Sequence, residues 1–141
     1  MSELKAVVFD LDDTLVCSTT HQVYVEVNEV LTKLQSIGYQ LFVCSQNAHA
    51  DEILVHHGLR HFFEGVFKLD QRFGYNVYSK IPMLQEIMYN HEFKPSELLL
   101  LDDLNENITD AKSIGIRGHR VDARTGITWS IIESLLPSST Y

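Results

Sequence analysis

Two short apolar runs in this chain stop on clusters of carboxylates, and few folds can hold that pattern. Lys5 to Leu11 (KAVVFDL) is β-branched and aromatic and runs on into Asp12, Asp13 and Thr14. Leu98 to Leu101 is four leucines followed at once by Asp102 and Asp103. A run that short, apolar at nearly every position, reads as a strand buried on both faces. Such strands lie at the centre of parallel sheets, with helices above and below. If the two are neighbours, parallel pairing brings their carboxyl ends together. Asp10, Asp12, Asp13, Asp102 and Asp103 then crowd into one crevice.

The rest of the sequence supplies the other layers. Val23, Val27, Val30, Leu31, Leu34 and Ile37 recur at helical spacing, and Gly38 follows as a C-terminal cap. Tyr39 to Cys44 reads as a second strand, Asp51 to His57 as a short helix closed by Gly58, and Gly65 to Lys68 as a brief third strand. Ile81, Leu84, Ile87 and Met88 define a helix whose first turn accommodates Pro82. Ile108 to Ile114 is a helix ahead of Gly115, and Arg117 to Val121 and Ile127 to Leu136 form a last strand and helix. This alternation predicts an α/β fold of three Rossmann-like layers, a mostly parallel sheet with helices on both faces, in a single domain spanning residues 1–141. Ligands of such sheets sit beyond the carboxyl ends of the strands, where the acidic clusters fall.

Composition narrows the function. The chain carries 19 acidic and 11 basic side chains, a formal charge of −8, which argues against a nucleic-acid grip built on phosphate neutralisation. No unbroken apolar run exceeds four residues, far short of a membrane span. Two cysteines, Cys17 and Cys44, make no disulfide scaffold. The N-terminal residues Met-Ser-Glu-Leu-Lys hold neither the apolar stretch of a signal peptide nor the glycine that myristoylation requires. The expectation is a cytoplasmic protein, and a monomer, since no heptad or long apolar stripe calls for a partner.

An aspartate after a strand is often only a helix N-cap. Two tight clusters after the two most apolar strands need more, because like charges at close range repel and burial raises the cost. Either some of these carboxylates are protonated or a cation sits among them. Hard oxygen donors without histidine or cysteine at ligand spacing favour Mg²⁺ over zinc. Ser45 ends the second strand at the same rim, and Lys80 opens a helix after a loop rich in glycine, tyrosine and asparagine. A lysine there can offset carboxylate charge and hold a phosphate oxygen.

The ordered set Asp10-Leu-Asp12-Asp-Thr14, Ser45, Lys80 and Asp102-Asp103 resembles the haloacid dehalogenase-like phosphohydrolase superfamily. Val27 to Gly38, Ser79-Lys80-Ile81 and Asp102 to Ile108 are most similar to its magnesium-dependent phosphatase-1 family. Thirty-four residues lie between Ser45 and Lys80, and as many between Asp12 and Asn47. Core elements use up both gaps, which resembles the subclass without a cap domain. Asp13 and Gln46 depart from the family pattern, where an aromatic and a basic residue are expected.

The resemblance implies a Mg²⁺-dependent phosphomonoester hydrolase. Asp10 would be the nucleophile that forms an aspartyl-phosphate, and Asp12 the general acid and then base. Ser45, Gln46, Lys80 and the backbone at Leu11 would hold phosphate oxygens. The metal would be held by Asp10, the Asp12 backbone carbonyl, Asp103, and Asp102 directly or through water. Asn107 would orient the loop after Asp103. The substrate would be a phosphorylated small molecule, such as a sugar phosphate, or a phosphotyrosine protein. A non-catalytic scaffold that binds phosphate and Mg²⁺, and a phosphatase of polynucleotide ends, are the alternatives. A receiver domain is disfavoured by motif order, because Ser45 and Lys80 precede Asp102 and no lysine follows Lys112.

Other residues carry lesser expectations. His49, His56 and His57 read as the polar surface of a short helix, whereas His21 borders the entrance and is placed to touch substrate. The nearby carboxylates are expected to raise the Cys17 pKa. Cys44 reads as a buried strand residue, and Trp129 as core or partner packing. Phe73, Tyr75 and Tyr78 are candidates to stack on an aromatic leaving group.

Overall fold

In the computed structural model, which describes residues 3–70, 72, 74, 75 and 78–137, the chain alternates five strands and five helices. They are β1 (Ala6–Phe9), α1 (Val27–Ile37), β2 (Gln40–Ser45), α2 (Ala50–His56), β3 (Gly65–Lys68), α3 (Ile81–His91), β4 (Leu98–Asp102), α4 (Asn105–Ser113), β5 (Arg117–Arg120) and α5 (Trp129–Leu135). The strands form one parallel sheet in the order β3-β2-β1-β4-β5. The strand order reverses on either side of β1, the arrangement that opens a crevice at the carboxyl ends of a doubly wound sheet.

Side-chain alternation along the strands divides the apolar residues into two clusters. Val7, Phe9, Leu41, Val43, Leu99 and Leu101 pack with Val30, Leu31 and Leu34 of α1, Leu54 of α2 and Ile132 of α5. Ala6, Val8, Phe42, Cys44, Leu98 and Leu100 pack on the other face with Met83, Leu84 and Ile87 of α3 and Ile108 and Ala111 of α4. All four residues of β1 and the four leucines of β4 are buried, as their two-sided apolar character requires. Trp129 packs against the first cluster, with Lys33 Nζ 4.8 Å from its ring centre.

Some boundaries differ from the sequence reading, for local reasons. β1 stops at Phe9 because the chain curls immediately after Asp10: the Leu11 carbonyl accepts hydrogen bonds from the backbone N–H groups of Thr14, Leu15 and Val16. Val23 does not begin α1. It forms an isolated antiparallel bridge with Val16, which pinches residues 16–23 into a loop over the end of the sheet. α4 starts at Asn105, ahead of the apolar pattern, because Asp102 Oδ1 accepts the Leu104 N–H at 2.9 Å and turns the chain.

The curl is supported from behind. Gly126 has φ +65°, and a Cβ there would lie 2.3 Å from the Tyr24 ring and 2.8 Å from the Thr14 carbonyl. The next residue donates its N–H to that same carbonyl at 3.1 Å. Glu26 holds the start of α5, accepting the Trp129 N–H at 3.1 Å.

Candidate active site

Asp10 leaves β1 between the ends of its two neighbours, and its N–H still bonds to the Leu101 carbonyl at 2.9 Å. Phe9 pairs with Val43 on one side and Leu101 on the other, so the residues that follow bring Asp10, Ser45 and Asp102 to one edge. Lys80 arrives from the N-cap of α3. It is 1% exposed, and Nζ donates to Asp10 Oδ1 at 2.8 Å and to Asp102 Oδ2 at 2.7 Å. Asn107, on α4, donates to Asp102 Oδ2 at 3.0 Å. Asp102 therefore accepts from three donors, while Asp103 turns toward solvent and lines an open depression of about 270 Å³ with Asp10, Asp12, Asp13, Ser45 and Gln46.

One ammonium among these carboxylates leaves excess negative charge. Burial pushes the Asp10 carboxyl well above its usual range, and the Asp102 and Asp103 carboxylates add to the rise against the opposing pull of Lys80. Burial also raises the Asp103 pKa. Burial opposes the charge on Lys80, but its two carboxylate partners outweigh that and raise its pKa. Ligand oxygens of Asp10, Asp102 and Asp103 lie within 4.8 Å of one another. That all-carboxylate donor set suits a hard divalent cation such as Mg²⁺, which would relieve the repulsion without a proton.

The Asp12 carboxylate lies outside this group. Asn47 Nδ2 donates to Asp12 Oδ2 at 3.2 Å, and the same amide is fixed by the His49 N–H, which donates to Asn47 Oδ1 at 2.9 Å. The Asn47 N–H in turn donates to Ser45 Oγ at 3.0 Å. Asn47 was missed in sequence because a single polar residue in a loop has no spacing to mark it. Its closeness to the Ser45 that ends β2 is the one clue available. Asp13, in the left-handed region at φ +63°, uses its carboxylate to accept the Ser18 N–H and hydroxyl at 2.9 Å, which braces the loop.

The structure thus brings together Asp10, Asp12, Ser45, Gln46, Lys80, Asp102, Asp103 and Asn107. Leu11 is buried, with its carbonyl engaged in the curl. Tyr75 packs edge-on against Phe67 and Tyr78 is exposed; Phe73 lies outside the described residues.

One expectation requires correction. The Cys17 pKa is lowered, not raised, because the Thr20 hydroxyl and the Thr20 and Thr19 backbone N–H groups stabilise the thiolate more than burial opposes it. His49 and His56 are exposed and His57 partly so, as expected of the polar surface around α2. With His21, Cys17, Val16, Ile53, Glu52 and Asp12 they line a cavity of about 310 Å³. Cys44 is buried as expected, and burial pushes its thiol up to about 12.

A family model described as haloacid dehalogenase-like hydrolase matches residues 18–121. The chain belongs to this family. The matched segment carries Ser45, Lys80, Asp102 and Asp103, and Asp10 to Thr14 lie just ahead of it. A haloacid dehalogenase-like hydrolase from Streptococcus pneumoniae superposes with a TM-score of 0.74 at 14% identity, over 96% of this chain and 93% of that one. A predicted phosphoglycolate phosphatase from Haemophilus somnus 129PT gives 0.68 at 16% identity, over 84% and 85%. YfnB from Bacillus subtilis, a putative haloacid dehalogenase-like hydrolase solved with magnesium, gives 0.72 at 12% identity, over 83% and 86%. At these identities the likeness is one of fold. No curated protein matches the chain. Among the described residues, no helix is long and apolar enough to cross a membrane.

Proposed function

We propose that this haloacid dehalogenase-like hydrolase is a Mg²⁺-dependent phosphomonoesterase of the capless subclass, akin to the magnesium-dependent phosphatase-1 family. The observation that carries the reading is the placement of Asp10. Its carboxylate lies at the head of the crevice, with Lys80 Nζ at 2.8 Å and two further carboxylates close enough to share a cation. The segments after β1 and β3, where a cap would be inserted, are 17 and 12 residues long, residues 10–26 and 69–80. Neither has the length of a domain.

In this reading the Asp10 carboxylate attacks phosphorus and the bond to the leaving oxygen breaks, giving an aspartyl-phosphate. Asp12 delivers a proton to that oxygen. It then takes a proton from the water that attacks phosphorus, so the Asp10–phosphate bond breaks and inorganic phosphate departs. Ser45, Gln46, Lys80 and the backbone after Asp10 hold the non-bridging oxygens. Asp10, Asp103, Asp102 and the Asp12 carbonyl would hold Mg²⁺, with Asp103 the more available acid of its pair because Asp102 already serves Lys80, Asn107 and Leu104. When bound, the cation offsets the negative charge of nucleophile and phosphate. Substrates in this class are phosphorylated small molecules or phosphoproteins.

Hydrolysis of p-nitrophenyl phosphate by wild type and Asp10→Asn, in Mg²⁺ and in excess EDTA, tests this directly. Mg²⁺-dependent release by wild type alone is expected. Full activity in Asp10→Asn would remove Asp10 as nucleophile, and no release by wild type would leave a binding role.

A further inference from the structure

Two cavities meet at Asp12. The first is the depression that holds Asp10, Ser45, Gln46 and Asp103. The second lies between the 16–21 loop and α2 and is lined by Val16, Cys17, Ile53, Glu52 and four histidines. Among the residues lining the two, only Asp12 belongs to both. Its carboxylate is tied through Asn47 to the His49 N–H, and so to the start of the helix that forms the far wall of the second cavity.

A general acid must touch the oxygen that leaves. A phosphoryl group seated against Asp10 therefore directs its bridging oxygen past Asp12 and its organic part into the second cavity. That cavity, about 310 Å³, is at the small end of the range for ligand pockets and suits one ring. Its walls are aliphatic groups, imidazoles and the Cys17 thiol, with two carboxylates. The charged partners they present are carboxylates: Asp12, and Glu52, which lies 3.4 Å from His49 Nδ1. No lysine or arginine is among its described lining residues. A leaving group with its own carboxylate or phosphate meets like charge there and no fixed cation.

Resting on the phosphatase reading above, we propose that the histidine-lined cavity is the leaving-group site, and that it selects phosphate esters of uncharged, ring-bearing alcohols or phenols over small anionic ones. It would thus disfavour the substrate named for the Haemophilus somnus relative.

The test compares kcat/KM for phenyl phosphate, glucose 6-phosphate, 2-phosphoglycolate and acetyl phosphate, in wild type and in His56→Trp, which fills the cavity from an exposed position. In wild type, phenyl phosphate or glucose 6-phosphate should exceed 2-phosphoglycolate about tenfold or more, the scale at which pocket complementarity discriminates. The faster of the two ring esters distinguishes stacking on imidazole faces from hydrogen bonding to their edges. His56→Trp should lower the ring-ester value about tenfold more than that for acetyl phosphate, whose small leaving group needs little of the cavity. A wild-type preference for 2-phosphoglycolate, or equal losses on ring esters and acetyl phosphate, overturns the proposal while the phosphatase reading stands. Absence of Mg²⁺-dependent turnover on every one of these substrates, acetyl phosphate included, removes both. The wild-type comparison does not depend on the variant folding.

Discussion

The two central strands are tied together at both ends by a lysine and carboxylates, and the two ties are opposite in kind. At the amino ends, Lys5 precedes β1 and Glu97 precedes β4. Lys5 Nζ lies 2.8 Å from Glu97 Oε2, and the Lys5 N–H donates to the Glu97 carbonyl at 2.9 Å. Lys5 is largely exposed, charges match one to one, and Lys5 with the Lys94 N–H lowers the Glu97 pKa. At the carboxyl ends one buried lysine serves two carboxylates, with a third nearby, and the Asp10 pKa is driven upward by burial. The same pairing chemistry closes the sheet at one end and leaves charge unbalanced at the other. An end with surplus negative charge and a fixed ammonium is suited to take up a cation and a phosphate together. At the balanced end the one ammonium is already matched by one carboxylate.

Substitutions at the two ends should separate these roles. The largest effect is expected on turnover: Asp10→Asn should reduce kcat for p-nitrophenyl phosphate by about a thousandfold or more, and its thermal midpoint should not fall, since one of the crowded charges is gone. Next, Lys80→Met leaves Asp10 and Asp102 buried without their ammonium. Urea denaturation should show a loss of about 3 kcal/mol, together with loss of activity. A stable, active Lys80→Met would erase the contrast between the ends. Asn47→Ala should lower kcat/KM for phenyl phosphate by about ten- to a hundredfold, and less for p-nitrophenyl phosphate, whose better leaving group needs the Asp12 proton less. An equal loss on both esters would mean that Asn47 only shapes the loop.

The smallest effect belongs to Glu97→Gln, which should leave turnover intact and lower the thermal midpoint modestly. Its sign with pH is fixed. The folded Glu97 pKa lies below the ordinary 4.5, so its contribution is present above that value and fades as pH falls through the folded one. Thermal melts of wild type and Glu97→Gln from pH 7 down to pH 3 should therefore converge at the acid end.

The sequence carried the centre of this architecture better than its margins. β1 and β4 were legible because two-sided burial leaves no room for polar alternation, and the abrupt change from leucine to aspartate at 101–102 marks where the sheet meets solvent. Ser45 and Lys80 were legible through their order along the chain. Asn47 was not, since its role depends on a backbone N–H two residues on and a carboxylate thirty-five residues away. The histidine cavity was invisible for the same reason: His21 and the three histidines around α2 meet only once the Val16–Val23 bridge folds the loop over the sheet. Periodicity misplaced Val23, because a valine at helical spacing is also a valine that can pair across a loop. Cys17 was misjudged by weighing long-range carboxylates above hydroxyl and N–H donors in its own turn.

Gly126 carries one consequence beyond its own backbone. With the Tyr24 ring occupying the space where a Cβ would stand, positions 24 and 126 share a single volume. Among relatives they should therefore change together: a side chain at 126 is to be expected only where 24 has become small. The curl that carries Asp12 and Thr14 is thus indexed by a pair of residues about a hundred positions apart, neither of which lines the depression that holds Asp10.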